Sequence, residues 1–585
     1  MRSLSLALWL LPTLALAQDP QPEIPDGKVS NDDPARPLQM PPASTEAKEA
    51  IDDFDRFQRR KAWERALKAI DAIPADQASR FIDGKDGFII PLARKRHDLL
   101  SALPPEGQSA VRLFHDAEAK KLLDEAEGAA ELPNLEKLFS AYFITTVGDN
   151  AADRLGDLYF EMGRFDRAAD CWLAVLRERP DTDLSPALLT VKAALALTRA
   201  GRREEAEALR RDLADRFADE RVTLGGQTAR AAELFRRLAG STADESPARP
   251  TAAPQTIAPP DLSRPVEVAW QVKIAATVEA GMSPPELTQW EANPVSSAVP
   301  AVAASGSRLF VNYLGHDLAV DLDSGKMLWR SGSFHHLKLT AMQNQGRMIE
   351  PERFAVLAEG DLVWFLGRDM KDQNMMAPFA LTCRRADGGE VVWKSNDLGD
   401  YAGLDLAGDP ILADGKLFVA AKMVGNNPMV MHTMGQPQQQ GGPRVMVLAI
   451  RPHDGKILWK TDVAHFRQNN PYRFFYYNMT PDVQPKLAYR AGAVYVDTHQ
   501  GILARLDADS GALDWGFGYQ TDAAQGGQRF VIFWGEPMQQ SRESTSGAPV
   551  AVGESFLVKG AQSGKLYAVD PNRMAVRWER PIAKS

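Results

Sequence analysis

Met429, Met431, His432 and Met434 form a compact group of potential metal ligands. Thioether sulfurs together with an imidazole nitrogen suit Cu(I), which is a soft cation. The group lies in the segment NNPMVMHTMGQPQQQGG, however, where Gln, Gly and Pro dominate. Such a composition is typical of a low-complexity loop, and we prefer that interpretation to a copper site.

Other residues that often do chemistry are sparse. Cys171 and Cys383 are the two cysteines of the chain and lie far apart in sequence. Neither has the Cys/His spacing of a zinc site, so we interpret both as small buried apolar side chains. The sequence also lacks a nucleophile elbow, a phosphate-binding loop and a His-x-x-x-His pattern. We therefore predict no catalytic residue and no metal site.

Aromatic side chains are concentrated in two segments, NNPYRFFYYNM and FVIFWGEPM. Aromatic, Met and Arg side chains on loops are typical of protein interfaces, so we predict that these segments bind a partner. The candidate residues are Tyr472, Arg473, Phe474, Tyr476, Phe533 and Trp534. Two alternatives stay open. The rings pack down on the protein as a lid, or they stack on a sugar.

Length, charge and the N-terminus restrict the class of protein. A chain of 585 residues exceeds what one core usually organises, so two or more domains are expected. The formal net charge of -9 and the absence of a basic cluster argue against nucleic-acid binding. Residues 1–17 have the basic start, apolar stretch and small residues of a signal peptide, with cleavage expected after Ala17. We expect a periplasmic or secreted protein without a transmembrane span.

The composition divides the rest of the chain into four parts. Residues 18–44 are rich in Pro, Asp and Gly and are predicted to be a disordered tether. Residues 45–240 show the three- and four-residue apolar spacing of amphipathic helices. Residues 241–265 are a Pro/Ala-rich linker. Strand patterns and Gly-containing turns then fill residues 266–585.

The helical part contains a recognisable repeat. The segment from residue 151 to residue 180 resembles the tetratricopeptide family, and the matching residues are Leu155, Gly156, Tyr159, Gly163, Ala168, Trp172 and Pro180. A weaker copy follows it. Arrays of this kind usually present a concave surface to a peptide or to another domain. Packing of the helices on the rest of the protein as a cap is an equally good interpretation.

The strand-rich part consists of a repeated four-stranded unit. Five units end at Trp329, Trp393, Trp459, Trp515 and Trp578, and consecutive four-stranded units indicate a β-propeller. Each Trp follows a tight turn that we expect to rest on an Asp side chain and a left-handed Gly, so that the ring packs against the neighbouring blade. The predicted structural residues of these turns are Asp321, Gly325, Gly389, Gly455, Asp507, Gly511 and Asp570.

These units, such as AVDLDSGKMLW, resemble the repeats of pyrroloquinoline-quinone dehydrogenases and of the propeller lipoprotein of the barrel-assembly machinery. The resemblance implies a ring of seven or eight blades. VEVAWQVKI, which contains Trp270, looks like a lone outer strand, so we expect an incomplete ring, with closure at five blades as the alternative. The dehydrogenases use pyrroloquinoline quinone with calcium, and many have an adjacent pair of cysteines. That pair is missing here, and we predict no cofactor.

Strand order sorts the loops by face. Turns between the first and second strands and between the third and fourth strands are short throughout. The long insertions 333–352, 367–378, 424–444, 463–484 and 518–546 all belong to the opposite face, where a partner is expected. We therefore predict an exported, non-catalytic scaffold that binds envelope or secreted proteins or peptide segments. A quinone-dependent dehydrogenase and a carbohydrate-binding or sensor protein are the alternatives.

Overall fold

The computed structural model describes most of the helical part and the strands of the propeller-like part. The described residues are 30–32, 38–241, 268–272, 300–331, 353–368, 378–423, 444–466, 484–520, 547–560 and 563–582, with the single residues 283, 285 and 288. The predicted signal peptide and, from residue 242 on, the predicted linker lie outside these ranges. So does the Met/His group at 429–434.

The predicted helical region is confirmed. In the described part of the chain it comprises α1 (Thr45–Arg59), α2 (Trp63–Asp71), α3 (Leu92–Ser101), α4 (Pro105–Asp124), α5 (Glu131–Ala141), α6 (Gly148–Glu161), α7 (Phe165–Glu178), α8 (Pro186–Arg199), α9 (Arg203–Asp215) and α10 (Ala231–Ser241). Short strands accompany the helices: β1 (Leu38–Gln39), β2 (Phe81–Asp83), β3 (Phe88–Pro91), β4 (Arg221–Leu224) and β5 (Gln227–Arg230).

Consecutive antiparallel helices pack closely where the sequence provides a small residue. A Cβ atom at Gly156 on α6 would lie 2.6 Å from the Trp172 ring on α7, so only glycine allows this approach. The Trp172 indole is 1% exposed, and its Nε1 donates a hydrogen bond to Asp153 at 2.8 Å. Burying the ring while pairing its polar atom favours this helix pair. The tetratricopeptide character of the array stays a prediction.

The strand-rich part forms five sheets of four consecutive antiparallel strands. Sheet I contains β6 (Ala301–Ser305), β7 (Arg308–Tyr313), β8 (His316–Asp321) and β9 (Met327–Ser331). Sheet II contains β10 (Ala355–Glu359), β11 (Leu362–Arg368), β12 (Phe379–Arg385) and β13 (Val391–Lys394). Sheet III contains β14 (Leu404–Ala413), β15 (Lys416–Met423), β16 (Arg444–Ile450) and β17 (Ile457–Phe466). The predicted propeller-like region is thereby confirmed.

The remaining two sheets follow the same order. Sheet IV contains β18 (Lys486–Arg490), β19 (Ala493–Asp497), β20 (Ile502–Asp507) and β21 (Leu513–Gly518). Sheet V contains β22 (Val550–Val552), β23 (Ser555–Val558), β24 (Lys565–Asp570) and β25 (Ala575–Pro581). Apolar side chains of neighbouring sheets form shared cores. The number of blades in the complete ring stays a prediction.

The prediction of a disordered tether is wrong for residues 38–44. Leu38 and Gln39 pair with Phe466 and His465 as an added edge strand of sheet III. Leu38 and Met40 are completely buried, and the Asn31 side chain exchanges hydrogen bonds with the Met40 backbone. The composition predicts disorder because this segment contains few apolar residues. The paired strand and the burial of Leu38 and Met40 offset the ordering entropy of this short segment.

A hairpin inside the helical region also joins a sheet. Strand β3 pairs with β21, with Gly516 opposite Ile89 and Phe517 opposite Phe88. Sheet IV therefore has six strands. The two outer strands, β3 and β2, belong to the helical region and lie hundreds of positions before sheet IV in the sequence. The Phe88 ring contacts Trp515 edge-on, with 5.3 Å between ring centroids. These contacts fix the helical part against the outer edge of sheet IV.

Substitution of Met40 by Ala is expected to lower the free energy of unfolding by about 2–3 kcal/mol, because it leaves a cavity in the core shared with sheet III. Urea denaturation followed by tryptophan fluorescence measures the change. Gln39→Ala is the control, since the Gln39 side chain bonds to exposed Asp32 and its loss is expected to have little effect. Equal stability of the Met40→Ala protein and the original would contradict the packing of this segment.

Candidate binding face and inter-sheet junctions

The tryptophans at the ends of sheets I, II and III each pack on the turn of the next sheet. Trp329 on sheet I illustrates the contact: its Nε1 donates to the Ala386 carbonyl at 3.1 Å, and a Cβ atom at Gly389 would lie 2.6 Å from its ring. The same pair of contacts joins Trp393 to Pro452 and Gly455, and Trp459 to Ala508 and Gly511. The predicted tryptophans and glycines are therefore brought together in pairs, always across a junction between sheets.

An aspartate side chain holds the receiving turn in sheets I and IV, whereas Arg385 and Arg451 occupy the equivalent position in sheets II and III, so the prediction of an Asp in every turn is wrong for those two sheets. Asp321 accepts hydrogen bonds from the backbone N and the Oγ of Ser324, and these bonds lower the pKa of its carboxyl. Asp507 makes the same two bonds with Ser510. Gly325 and Gly511 follow with φ of 68° and 72°, a region that glycine adopts without strain. The carboxylates at these turns thus have a structural use.

The tryptophan contacts before sheet I and on sheet V differ from the contacts between sheets I and IV. Trp270, which precedes sheet I, lies on Gly325 and donates from Nε1 to the Leu322 carbonyl at 2.7 Å. On sheet V the glycine position is occupied by Met574, which has φ of 48°. Trp515 is 3% exposed, whereas Trp578 at the outer edge of sheet V is 36% exposed. Asp570 still bonds to the backbone of Asn572 and Arg573 in the last turn.

The helical part contacts the propeller-like part at the face that carries the short turns. We call the end of the sheets with the first–second and third–fourth turns the short-turn face, and the opposite end the insert face. At the start of α7, Arg167 bonds to Asp507 at 3.1 Å and to Asp514 at 3.0 Å, and Arg164 bonds to Asp509 at 3.0 Å. These aspartates lie in or beside the third–fourth turn of sheet IV.

Arg505 on β20 links the two parts within a largely buried cluster. Its guanidinium contacts Asp166 of α7 at 2.5 Å and also Asp514, and its side chain is 15% exposed. Burial favours the neutral form of Arg505, but Asp514 and Asp166 outweigh it and hold its pKa well above the ordinary value. For Asp507, burial opposes ionisation, but Arg167 and Ser510 outweigh it and lower the pKa. Burial has the opposite effect on Asp166, the other partner of Arg505, and raises the pKa of its carboxyl.

A second contact joins α9 to sheet V. The backbone N of Glu204, in the first turn of α9, donates to Glu554 Oε1 at 2.8 Å. A carboxylate at this position also interacts favourably with the helix dipole. Arg577 lies 3.4 Å from Glu204 and 3.5 Å from Glu554, so it offsets the charge of the two carboxylates. The sequence analysis does not predict Glu204, Glu554 or Arg577, because each looks like an ordinary surface charge in its own segment.

The geometry separates the two faces of the propeller-like part. Helices α7 and α9 cover the short turns of sheets IV and V. The long insertions start and end at strand termini on the insert face, as the ends of β11, β15, β17 and β21 show. The predicted partner-binding residues Tyr472, Arg473, Phe474, Tyr476, Phe533 and Trp534 belong to these insertions and lie outside the described residues.

A family model matches residues 267–516 and 380–585, which together make up more than half of the chain. That family is described as outer membrane protein assembly factor BamB. The chain belongs to this family. Its membership confirms the resemblance to quinoprotein-type repeats that the Trp-containing units predicted.

Similar proteins include dehydrogenases and BamB. A polyvinylalcohol dehydrogenase of a Pseudomonas species is 24% identical over 367 residues, which is 56% of this chain and 53% of that protein. The structure of BamB from Moraxella catarrhalis has 12% identity, a TM-score of 0.27 and coverage of 48% of this chain and 60% of its own. Quinohemoprotein alcohol dehydrogenase from Comamonas testosteroni has 14% identity, a TM-score of 0.30 and coverage of 48% and 43%.

The chain thus spans between about two fifths and three fifths of the length of these relatives.

Calcium beside a quinone would need several oxygen ligands, most often from carboxylates. Within the described ranges, no group of three or more His, Cys, Asp and Glu side chains is arranged to hold a metal ion. Asp321 and Asp507 are engaged in turns, and Cys171 and Cys383 are separate buried thiols. Burial raises the pKa of the Cys383 thiol to about 12. We therefore derive no step through a quinone.

None of the described helices has the length and apolarity to cross a membrane.

Proposed function

We propose that this protein is a non-catalytic scaffold of the cell envelope that binds other proteins through its insert face. The observation that carries the proposal is the position of the helical part. Helices α7 and α9 cover short turns of sheets IV and V through Arg167, Arg505 and Glu204. The insert face has all the long loops, and loops at one end of a rigid scaffold are where binding residues usually lie.

Composition supports the choice of face. The two insertions next to sheet IV contain the aromatic segments with Tyr472, Phe474 and Trp534. Large aromatic side chains dominate the binding energy of protein interfaces. Both insertions attach to sheet IV, since one ends just before β18 and the other begins just after β21. The proposed binding surface is therefore centred on the insert-face end of this sheet, after export guided by residues 1–17.

Site-specific photo-crosslinking tests the binding face. The photoreactive residue p-benzoylphenylalanine replaces Phe474 or Trp534 in the exported full chain, and the same residue replaces Asp387, in a short turn of sheet II, as the matched control. We expect discrete crosslinked products with envelope proteins at the first two positions only. Equal crosslinking at Asp387, or none at Phe474 and Trp534, would contradict the proposal.

A quinone-dependent dehydrogenase is the second candidate, and the similarity to polyvinylalcohol dehydrogenase favours it. Calorimetry with pyrroloquinoline quinone and calcium, run beside a dye-linked assay with alcohols and polyvinyl alcohol, separates the two functions. On the scaffold proposal, neither saturable binding nor dye reduction is expected. Saturable binding with alcohol-dependent dye reduction would establish the enzyme instead.

A further inference from the structure

The turn between β19 and β20 has a buried polar cluster at the insert face of sheet IV. Asp497 ends β19, and the chain continues through Thr498 and His499 to Ile502 at the start of β20. Asp497, Thr498 and His499 are 0%, 2% and 1% exposed. Because this turn joins the second and third strands of the sheet, it lies between the attachment points of the two aromatic insertions.

One oxygen of the Asp497 carboxylate holds this turn in place. Asp497 Oδ1 accepts hydrogen bonds from the backbone N of His499 at 2.8 Å and from the Tyr519 hydroxyl at 2.5 Å. Tyr519, which directly follows β21, also donates from its backbone N to the Gly501 carbonyl at 3.0 Å. Lys486, the first residue of β18, lies opposite Asp497 in the sheet. The turn is therefore connected to the end of one aromatic insertion and to the start of the other.

The other polar atoms of the cluster lack hydrogen bonds within the part of the chain that the structure describes. They are Asp497 Oδ2 and both ring nitrogens of His499, although the Lys559 backbone lies beside the ring. His499 Nδ1 is 3.5 Å from Asp497 Oδ2 without forming a hydrogen bond to it. Nearly all buried polar groups of folded proteins have a partner, so a completely buried imidazole without one calls for a functional explanation.

The surroundings of the His499 ring oppose its protonation. Burial lowers the pKa of His499, and the charges of Lys486 and Lys559 lower it further. The Asp497 carboxylate favours the proton but does not outweigh them. Tyr519 adds no charge, because burial raises the pKa of its hydroxyl well above the ordinary value. The ring therefore binds a proton more readily after the turn has opened to water.

The backbone of the turn is held in an unfavourable conformation. His499 has φ of 55°, in the left-handed region that residues other than Gly and Asn rarely adopt. The Thr498 hydroxyl supports this conformation by donating to the Ile502 carbonyl at 2.9 Å. Opening of the turn releases this strain, so the closed form depends on the hydrogen bonds of Asp497 and Thr498.

We propose that His499 makes the binding face of sheet IV sensitive to acid, because a proton on its ring opens the turn at residues 498–501 and releases the bound partner. The closed form has the lower His499 pKa, so the open form binds more protons. Acid therefore shifts the equilibrium toward the open form as the pH falls below about 6.5, the ordinary pKa of histidine. Release of a partner rests on the proposed function of the insert face, whereas opening of the turn does not.

Hydrogen–deuterium exchange of the full chain, read by mass spectrometry, measures the opening of the turn. After correction for the intrinsic effect of pH on exchange, we expect residues 498–502 to exchange about fivefold faster at pH 5.5 than at pH 7.0, since one proton allows at most about tenfold per pH unit. His499→Asn is expected to lose this acceleration, because asparagine does not titrate and tolerates the left-handed backbone. His453→Asn, at an exposed position in a short turn of sheet III, is the matched control and is expected to keep it.

Tyr519→Phe separates support of the turn from titration. It removes the hydroxyl that bonds to Asp497, so faster exchange of residues 498–502 is expected already at pH 7.0. The Ala491–Gly492 turn at the other end of sheet IV reports on unfolding of the whole sheet, and its corrected exchange is expected to be the same at both pH values. Equal acceleration in His499→Asn and the original, or equal acceleration of the Ala491–Gly492 turn, would overturn the proposal.

Crosslinking connects the opening to partner release. With p-benzoylphenylalanine in place of Trp534, crosslinked envelope products are expected to fall about fivefold between pH 7.0 and pH 5.5, in step with the opening, and to persist in His499→Asn. Equal amounts of product at both pH values in the original would overturn the release of the partner. Absence of product at both pH values would count against binding by the insert face, whereas the exchange measurement decides on the turn without any partner.

Discussion

Replacement of Arg505 by Ala is expected to lower the free energy of unfolding by about 3 kcal/mol, because it leaves the buried Asp166 carboxylate without its cation and removes one of the two cations beside Asp514. Arg505 touches Asp166 of α7 and Asp514 of β21, and all three side chains are largely buried. The cost is high because the substitution removes the cation and leaves the carboxylate buried. Removing a buried ion pair completely is often nearly neutral, whereas removing one partner strands the other.

Urea denaturation measures this change, and limited proteolysis shows whether the helical part has detached from the sheets. Arg385→Ala in sheet II is the control, since Arg385 pairs with Asp361 at the surface and should contribute less than about 1 kcal/mol. The double variant Arg505→Met with Asp166→Leu should recover part of the loss. If Arg505→Ala were no less stable than Arg385→Ala, the cluster would not join the two parts.

The sequence predicts the repeated sheets well because their determinants are local. In sheets I and IV a turn of Asp, two residues, Ser and Gly is specified within five positions, and in all five sheets the Trp follows its turn at a fixed distance along the chain. Such a unit needs no knowledge of distant residues, and repetition strengthens the inference each time it recurs. The match of the family model to residues 267–585 has the same origin.

The contacts between the helical and propeller-like parts could not be predicted in this way. Arg167 and Asp166 look like solvated charges on an amphipathic helix, and Asp507 already has a use in its turn. Their partners lie more than three hundred positions away in the chain. Leu38 and Met40 are two apolar residues in a Pro-rich stretch, and their burial depends on an edge that sheet III provides. Pairwise complementarity over such separations leaves no periodic signal in one sequence.

The candidate binding residues present a different case. Their type suggests an interface, and strand order assigns them to the insert face, but neither observation says what they contact. The position of α7 and α9 adds the missing argument, because it covers the alternative face at sheets IV and V. We therefore infer that the insert face binds the partner, because the helical part already covers the short-turn face at sheets IV and V.

Substitution of Gly455 by Ala is expected to lower the free energy of unfolding by about 3 kcal/mol or more. A left-handed backbone costs a non-glycine residue about 1–2 kcal/mol, and overpacking adds about 1–3 kcal/mol. Gly455 has φ of 72°, and a Cβ atom there would lie 2.7 Å from the Trp393 ring. The ring cannot retreat easily, because its Nε1 is bonded to the Pro452 carbonyl and its side chain is 7% exposed.

Gly360→Ala separates the two contributions to this cost. Gly360 has φ of 60° in a short turn of sheet II, but no atom lies within 4 Å of its would-be Cβ. Its substitution should therefore cost only the backbone part, about 1–2 kcal/mol. Urea denaturation of both variants, followed by tryptophan fluorescence, gives the difference. An equal loss of stability in the two proteins would mean that the glycine serves the turn alone, whereas a larger loss at Gly455 means that it also serves the junction with the preceding sheet.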